Sequence, residues 1–165
     1  MTKKRYFAMK EWFAKHKFWY NVLKFIYKVL PYVMFVAAPA LMIIKGFMGI
    51  DMDFFRMIYV PLAVLVVVSI LRNFINKPRP YEVYETDPVI KRDGKGKSCP
   101  SRHTASAFII AMCAIPVNLT LTIVLLAISF LIALSRIFGG VHFIRDVIAG
   151  AAASVITGFI FFVLL

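Results

Sequence analysis

Residues 119–165 read LTLTIVLLAISFLIALSRIFGGVHFIRDVIAGAAASVITGFIFFVLL. Two apolar runs, residues 119–138 and 142–165, each have the roughly 20 residues that an α-helix needs to cross about 30 Å of hydrocarbon. The break between them holds Gly139-Gly140, a turn signal, and a cluster of polar residues at Ser135, Arg136, His142, Arg145 and Asp146. Composition agrees with a membrane protein: of 165 residues, 61% are hydrophobic and 17% charged, with a net charge of +12. A soluble domain keeps more polar surface, and a disordered chain needs the opposite balance. Apolar bulk with a basic remainder points to lipid and anions together.

Working outward, residues 104–115 form a shorter apolar run that ends at Pro116-Val117-Asn118. Residues 26–44 and 57–75 are longer, and Pro31 and Pro39 predict kinks in the first of them. The expected fold class is therefore all-α, a polytopic membrane bundle of about five transmembrane helices. Small residues from Ala149 to Ser154 suit close helix packing.

Two segments stand outside this pattern. The first 28 residues carry eight basic side chains and one acid, Glu11, interleaved with Trp12, Phe13, Phe18, Trp19 and Tyr20. That interleaving predicts an amphipathic interfacial helix over residues 1–25, ahead of a membrane-embedded domain at 26–165. It lacks the compact layout of a cleavable signal peptide. Residues 76–101 form a polar loop outside the membrane, rich in charge (Lys77, Arg79, Glu82, Glu85, Asp87, Lys91, Arg92, Asp93, Lys95, Lys97). Cys99 and Cys113 lie in unlike surroundings and are not expected to pair, and no Cys and His spacing suggests zinc.

Charged side chains at membrane edges are costly and mark function by default. Arg72, Arg79, Arg102 and Arg136 would repel one another in one pocket unless an anion neutralised them, and the guanidinium fork suits phosphate oxygens. Pro100-Ser101-Arg102-His103 precedes a helix, whose free N–H groups add to an anion site. Residues His142 and Asp146, four apart, are expected to share a helix face, so that the carboxylate orients the imidazole. Two histidines, an orienting carboxylate and an anion cage fit phosphoryl transfer through a phosphohistidine.

These residues resemble the three signature motifs of the type 2 phosphatidic acid phosphatase family of membrane lipid phosphate phosphatases. The family's first motif, Lys, six residues and Arg-Pro, corresponds to Arg72-NFINKP-Arg79-Pro80. Its second, Pro-Ser-Gly-His, corresponds to Pro100-Ser101-Arg102-His103, and its third is intact as Ser135-Arg136-IFGGV-His142-FIR-Asp146. The resemblance implies that His142 is the nucleophile, that Asp146 orients it, and that His103 protonates the leaving group. It implies that Arg72, Arg79, Ser101, Arg102 and Arg136 hold the phosphate, without a metal or other cofactor. Arg72 stands where the family has lysine and Arg102 where it has glycine; members often have six spans.

The expected function is hydrolysis of a lipid phosphate or pyrophosphate, of the undecaprenyl pyrophosphate, phosphatidic acid or phosphatidylglycerol phosphate type. A phosphotransferase with the same intermediate and a non-catalytic phospholipid-binding protein are the alternatives. The expected partners are the lipid substrate and a bilayer with anionic lipids, with no role for nucleic acid. On a five-span layout, 18 of the 20 lysines and arginines fall on the side that carries the motifs. The positive-inside rule alone would put that side in the cytoplasm. The resemblance favours an outward-facing site in a bacterial plasma membrane, and that orientation is the expectation here.

Overall fold

The computed structural model describes every residue except Asp93, one of the charges of the polar loop. Among the described residues seven α-helices run in chain order as α1 (Lys3–Lys15), α2 (Lys17–Met48), α3 (Met52–Ile75), α4 (Pro80–Val83), α5 (Arg102–Met112), α6 (Leu119–Phe138) and α7 (Ile144–Phe159). A π-helical turn, Ile160–Leu164, extends α7. The described residues contain no strand. Among the described residues four helices are long and apolar enough to cross a membrane: α2, α3, α6 and α7 with its extension. Their outer faces carry a lipid-ready belt that includes Phe35, Phe47, Phe74 and Ile156. The protein is a multi-pass membrane protein.

The fifth apolar run behaves differently. Helix α5 has 11 residues, roughly 16 Å of helix at 1.5 Å per residue, too short to cross alone. It lies at the centre of the bundle against α2, α3, α6 and α7, with Ala105, Ala107, Ile109, Ala111 and Met112 all buried. Small side chains allow that central position. A methyl group on Gly150 would meet the Ser101 carbonyl at 2.6 Å, and one on Gly158 would meet Met112 at 2.5 Å. Ser154 Oγ donates to the Ala105 carbonyl at 2.7 Å, satisfying its hydroxyl inside the apolar contact.

The basic, aromatic N-terminal stretch divides at His16, whose backbone (φ −115°, ψ 75°) leaves the helical region. Residues beyond the break are the first turns of the 32-residue α2. Helix α1 packs back on the protein. Tyr6, its one buried residue, donates to the Gly140 carbonyl at 3.2 Å and packs on Tyr84 at 5.2 Å between ring centroids. Lys10 Nζ donates to Thr86 Oγ1 at 2.7 Å, and Tyr84 Oη to the Met1 carbonyl at 2.7 Å. Burial, followed by the charges of Tyr81 and Asp87, pushes the Tyr6 phenol up to about 12, so it remains a donor at neutral pH.

The loop at 76–101 is held in place by its own polar atoms. Asn76 ends α3 in the left-handed region, φ 37°, a common helix stop for Asn. The Glu82 carboxylate accepts from the Arg79 N–H at 2.8 Å and the Gly96 N–H at 2.9 Å, and the Ser98 N–H donates to the Lys77 carbonyl at 2.9 Å. Ile90, 3% exposed, donates its N–H to Gly139 at 3.2 Å. These bonds fold the loop down over the α6–α7 turn. Both cysteines are free.

Candidate active site

The α6–α7 turn carries the centre of the site. Gly140 has φ +74°, and a methyl group there would also meet Tyr6 Oη at 2.7 Å, so glycine is required twice over. The turn delivers His142 ahead of helix α7, with Phe143 as N-cap. This corrects the expectation of a shared helix face: only Asp146 is helical, in the first turn, and its Oδ2 turns back to accept the Phe143 N–H at 3.0 Å. As a result His142 Nδ1 and Asp146 Oδ2 stand 3.8 Å apart, beyond direct hydrogen-bond reach.

Ser98 occupies the interval. Its Oγ donates to Asp146 Oδ2 at 2.5 Å and lies 3.4 Å from His142 Nδ1. All three residues are fully buried. A hydroxyl that donates to the carboxylate can accept from the imidazole, which places the ring proton on Nδ1. The Nε2 atom of His142 is then the lone-pair nitrogen, and it is buried without a hydrogen-bond partner. Burial pushes the His142 imidazole down to about 4; the nearby Asp146 carboxylate opposes this and the charges of Arg79 and Arg72 reinforce it. A neutral imidazole with a free Nε2 is a competent nucleophile.

The arginines arrive from four segments. Arg72 lies in the last turn of α3 and is buried. Arg79 caps α4, with its Nε donating to the Gly96 carbonyl at 3.1 Å and its Nη1 to the Val141 carbonyl at 3.4 Å. Burial, then the neighbouring charge of Arg92, holds Arg79 below its ordinary value. Arg136, 2% exposed, donates from Nη2 to the Tyr27 carbonyl at 3.0 Å, and its guanidinium lies 3.9 Å from the centroid of the Tyr27 ring. Arg102 is the first residue of α5, so its backbone is helical and no left-handed conformation is needed where the family has glycine.

Ser101 anchors the start of α5. Its N–H donates to the Asp146 carbonyl at 2.9 Å, and its Oγ accepts from Thr104 Oγ1 at 3.0 Å. His103, one residue into α5, lies within electrostatic reach of Arg136, Arg92, His142 and Arg102. Two cavities meet at it. One of about 730 Å³ is lined in part by Tyr27 and Phe35 and reaches Arg136; another of about 290 Å³ runs between Met34, Leu65, Ala107 and Ile132, with Arg102 on its wall. Every site residue read from the sequence thus collects at one end of the bundle. Arg145 is half out of the cluster, exposed, with Nε 3.7 Å from Asp146 Oδ1.

Three residues of the site carried no signal along the chain: Ser98, Tyr27 and Arg92. Arg92 donates from Nη1 to Tyr27 Oη at 3.3 Å, so one tyrosine carries two arginines.

The comparisons with known proteins agree with this arrangement. The PAP2 superfamily model matches residues 53–165. Among solved structures, that of LpxE from Aquifex aeolicus is similar with a TM-score of 0.62 and 28% identity, over 85% of this chain and 92% of that one. The first transmembrane PAP2 type phosphatidylglycerolphosphate phosphatase structure from Bacillus subtilis shares the fold, with a TM-score of 0.57 and 20% identity over 94% of this chain and 89% of that one. No curated protein sequence matches the chain. With the motif segments brought together around His142, and with the family model extending over both spans that flank it, the chain belongs to the PAP2 superfamily.

Proposed function

We propose that the protein hydrolyses a lipid phosphate or diphosphate through a phosphohistidine formed on His142. The observation that carries this reading is the buried, unpartnered Nε2 of His142, on a ring whose other nitrogen faces Ser98 and Asp146. In the first step Nε2 attacks phosphorus and the bond to the leaving oxygen breaks, with His103 supplying the proton that this oxygen takes. In the second step water attacks phosphorus, the P–Nε2 bond breaks and returns its electron pair to His142, His103 accepts a proton from the water, and inorganic phosphate departs. Arg72, Arg79, Arg102 and Arg136 neutralise the equatorial oxygens, and the Ser101 segment fixes the start of α5 beside them. A bound phosphate dianion offsets the arginine charges that bear on His103. The chemistry uses side chains of the chain alone, with no metal in the scheme.

The apolar cavity beside His103 supports a lipid as the leaving group, because Met34, Leu65, Ala107 and Ile132 offer it hydrocarbon and no hydrogen bonds. We further propose that the site faces outward from a bacterial plasma membrane. Four arginines of the site are committed to charge neutralisation, which weakens their weight in the positive-inside balance.

The test is phosphate release from detergent-dispersed lipid phosphates by wild type and by His142→Ala, with folding checked by circular dichroism and gel filtration. Wild type is expected to release phosphate and to yield an alkali-stable, acid-labile phosphoenzyme on rapid quenching. A folded His142→Ala protein with near-normal turnover would overturn the reading.

A further inference from the structure

The cavity of about 730 Å³ holds cations that the phosphate cage does not use. Lys28 comes from α2, and Lys91 and Arg92 come from the loop; they line one space with Tyr27, His103 and Arg136. Among the described residues no carboxylate lines that space, and none of the three cations makes an ion pair with another described residue. Like charges gathered without counter-charges raise the energy of the unliganded protein and select for an anion. Arg92 is fixed in place by its bond to Tyr27 Oη, and the same ring supports Arg136, so the cluster is built continuously with the cage.

Its position says what the anion belongs to. His103 forms part of the wall of this cavity and of the apolar one. The group that receives the proton of His103 therefore has room for its hydrocarbon in the apolar cavity and for a charged part beside Lys28, Lys91 and Arg92. A neutral alcohol would leave these cations unanswered; a leaving group with its own negative charge would satisfy them.

Resting on the function proposed above, we propose that Lys28, Lys91 and Arg92 form a second anion subsite that selects lipids whose leaving group is itself anionic, lipid diphosphates in the first place. In the reaction His142 Nε2 bonds to the terminal phosphorus and the bridging P–O bond breaks. The bridging oxygen remains on the departing lipid monophosphate, which takes the proton from His103 and leaves past the three cations.

The test uses the full chain in a neutral detergent with a C15 isoprenyl monophosphate and the matching diphosphate. Wild type is expected to favour the diphosphate in kcat/KM by about tenfold or more, the scale of two charge-assisted contacts. Lys91→Gln with Arg92→Gln should bring that ratio close to one, and Lys28→Gln, an exposed change that leaves the Tyr27 contact intact, should lower it by about threefold. A wild-type ratio at or below one, or a ratio unchanged in both variants, would overturn the subsite while leaving the phosphatase reading in place. If neither substrate releases phosphate, that reading falls instead. The subsite is then decided by binding of a methylene-bridged diphosphonate lipid against its monophosphonate, for which the same order of losses is expected; equal binding by all three proteins would overturn it.

Discussion

Ser98 Oγ lies 2.5 Å from Asp146 Oδ2, closing a gap of 3.8 Å that separates this carboxylate from the His142 ring. The hydroxyl orients the imidazole through a relay, so Ser98 is a positioning residue. Ser98→Ala leaves the buried Asp146 one donor short and the His142 ring free to turn. We expect kcat to fall by roughly ten- to hundredfold with KM little changed, the scale seen for partners that orient a catalytic ligand, and Ser98→Thr to recover part of the loss. Steady-state kinetics of both variants check this; a Ser98→Ala protein with wild-type kcat contradicts it.

Tyr27 gives a graded test of how Arg136 is held. Tyr27→Phe keeps the ring beneath the guanidinium and the backbone carbonyl that accepts from it, losing only the hydroxyl bonded to Arg92. Tyr27→Leu removes the ring as well, and a desolvated cation–π contact contributes about 2 kcal/mol. KM for a lipid monophosphate should rise several-fold in Tyr27→Leu and by less than twofold in Tyr27→Phe. Equal effects in the two variants would exclude the stacked geometry as the source.

Gly140→Ala meets two obstacles, the positive φ of +74° and the Tyr6 hydroxyl at 2.7 Å. The backbone component alone costs on the order of 1–2 kcal/mol. We expect a lower inactivation temperature and lost activity together. Adding Tyr6→Ala should restore stability only in part, because it removes the collision and leaves the dihedral strain. Full rescue by Tyr6→Ala would assign the whole effect to the collision.

The His142 imidazole is held down at about 4, from an ordinary value of 6.5. Between those values the unfolded chain binds more protons at this residue than the folded protein does. Its contribution to stability is therefore present in full above pH 6.5 and is lost as pH falls toward 4. Inactivation temperature should fall across that window in wild type and fall less steeply in His142→Asn. Parallel curves for the two proteins would exclude His142 as the titrating group.

Cys99 measures the orientation of the site. It is partly exposed, whereas Cys113 is buried. Burial, then the charge of Asp146, push the Cys99 thiol above its ordinary value, so labelling should quicken as pH rises toward 9. An impermeant maleimide is expected to label intact cells at Cys99 and not in Cys99→Ser. Labelling that begins only after permeabilisation would place the site in the cytoplasm.

The sequence made the cluster of polar residues legible where spacing along the chain is the signal. The Ser135–Asp146 segment, Arg72, Arg79 and the turn before α5 gather as their motif positions imply, because each sits at a helix end directed to the same face. What hydropathy missed is tertiary. Ser98 is one polar residue in a polar loop until Asp146 approaches it. Tyr27 is one aromatic among 7 Tyr and 16 Phe, and only the arrival of Arg136 from α6 distinguishes it. Periodicity places His142 and Asp146 on one helix; the glycine turn starts that helix two residues later. The first 25 residues advertise their lysines and rings, while Tyr6, the residue that docks α1, is unremarkable in sequence.

That docking sets an order of events in synthesis. Tyr6 and Gly140 are 134 residues apart, so α1 lacks this part of its seat until α6 and its turn have followed. Arg72 and Arg79 are synthesised long before His142. A nascent chain thus carries these two cations before Val141, whose carbonyl accepts from Arg79, and the motif segments can meet only after translation passes the glycine turn.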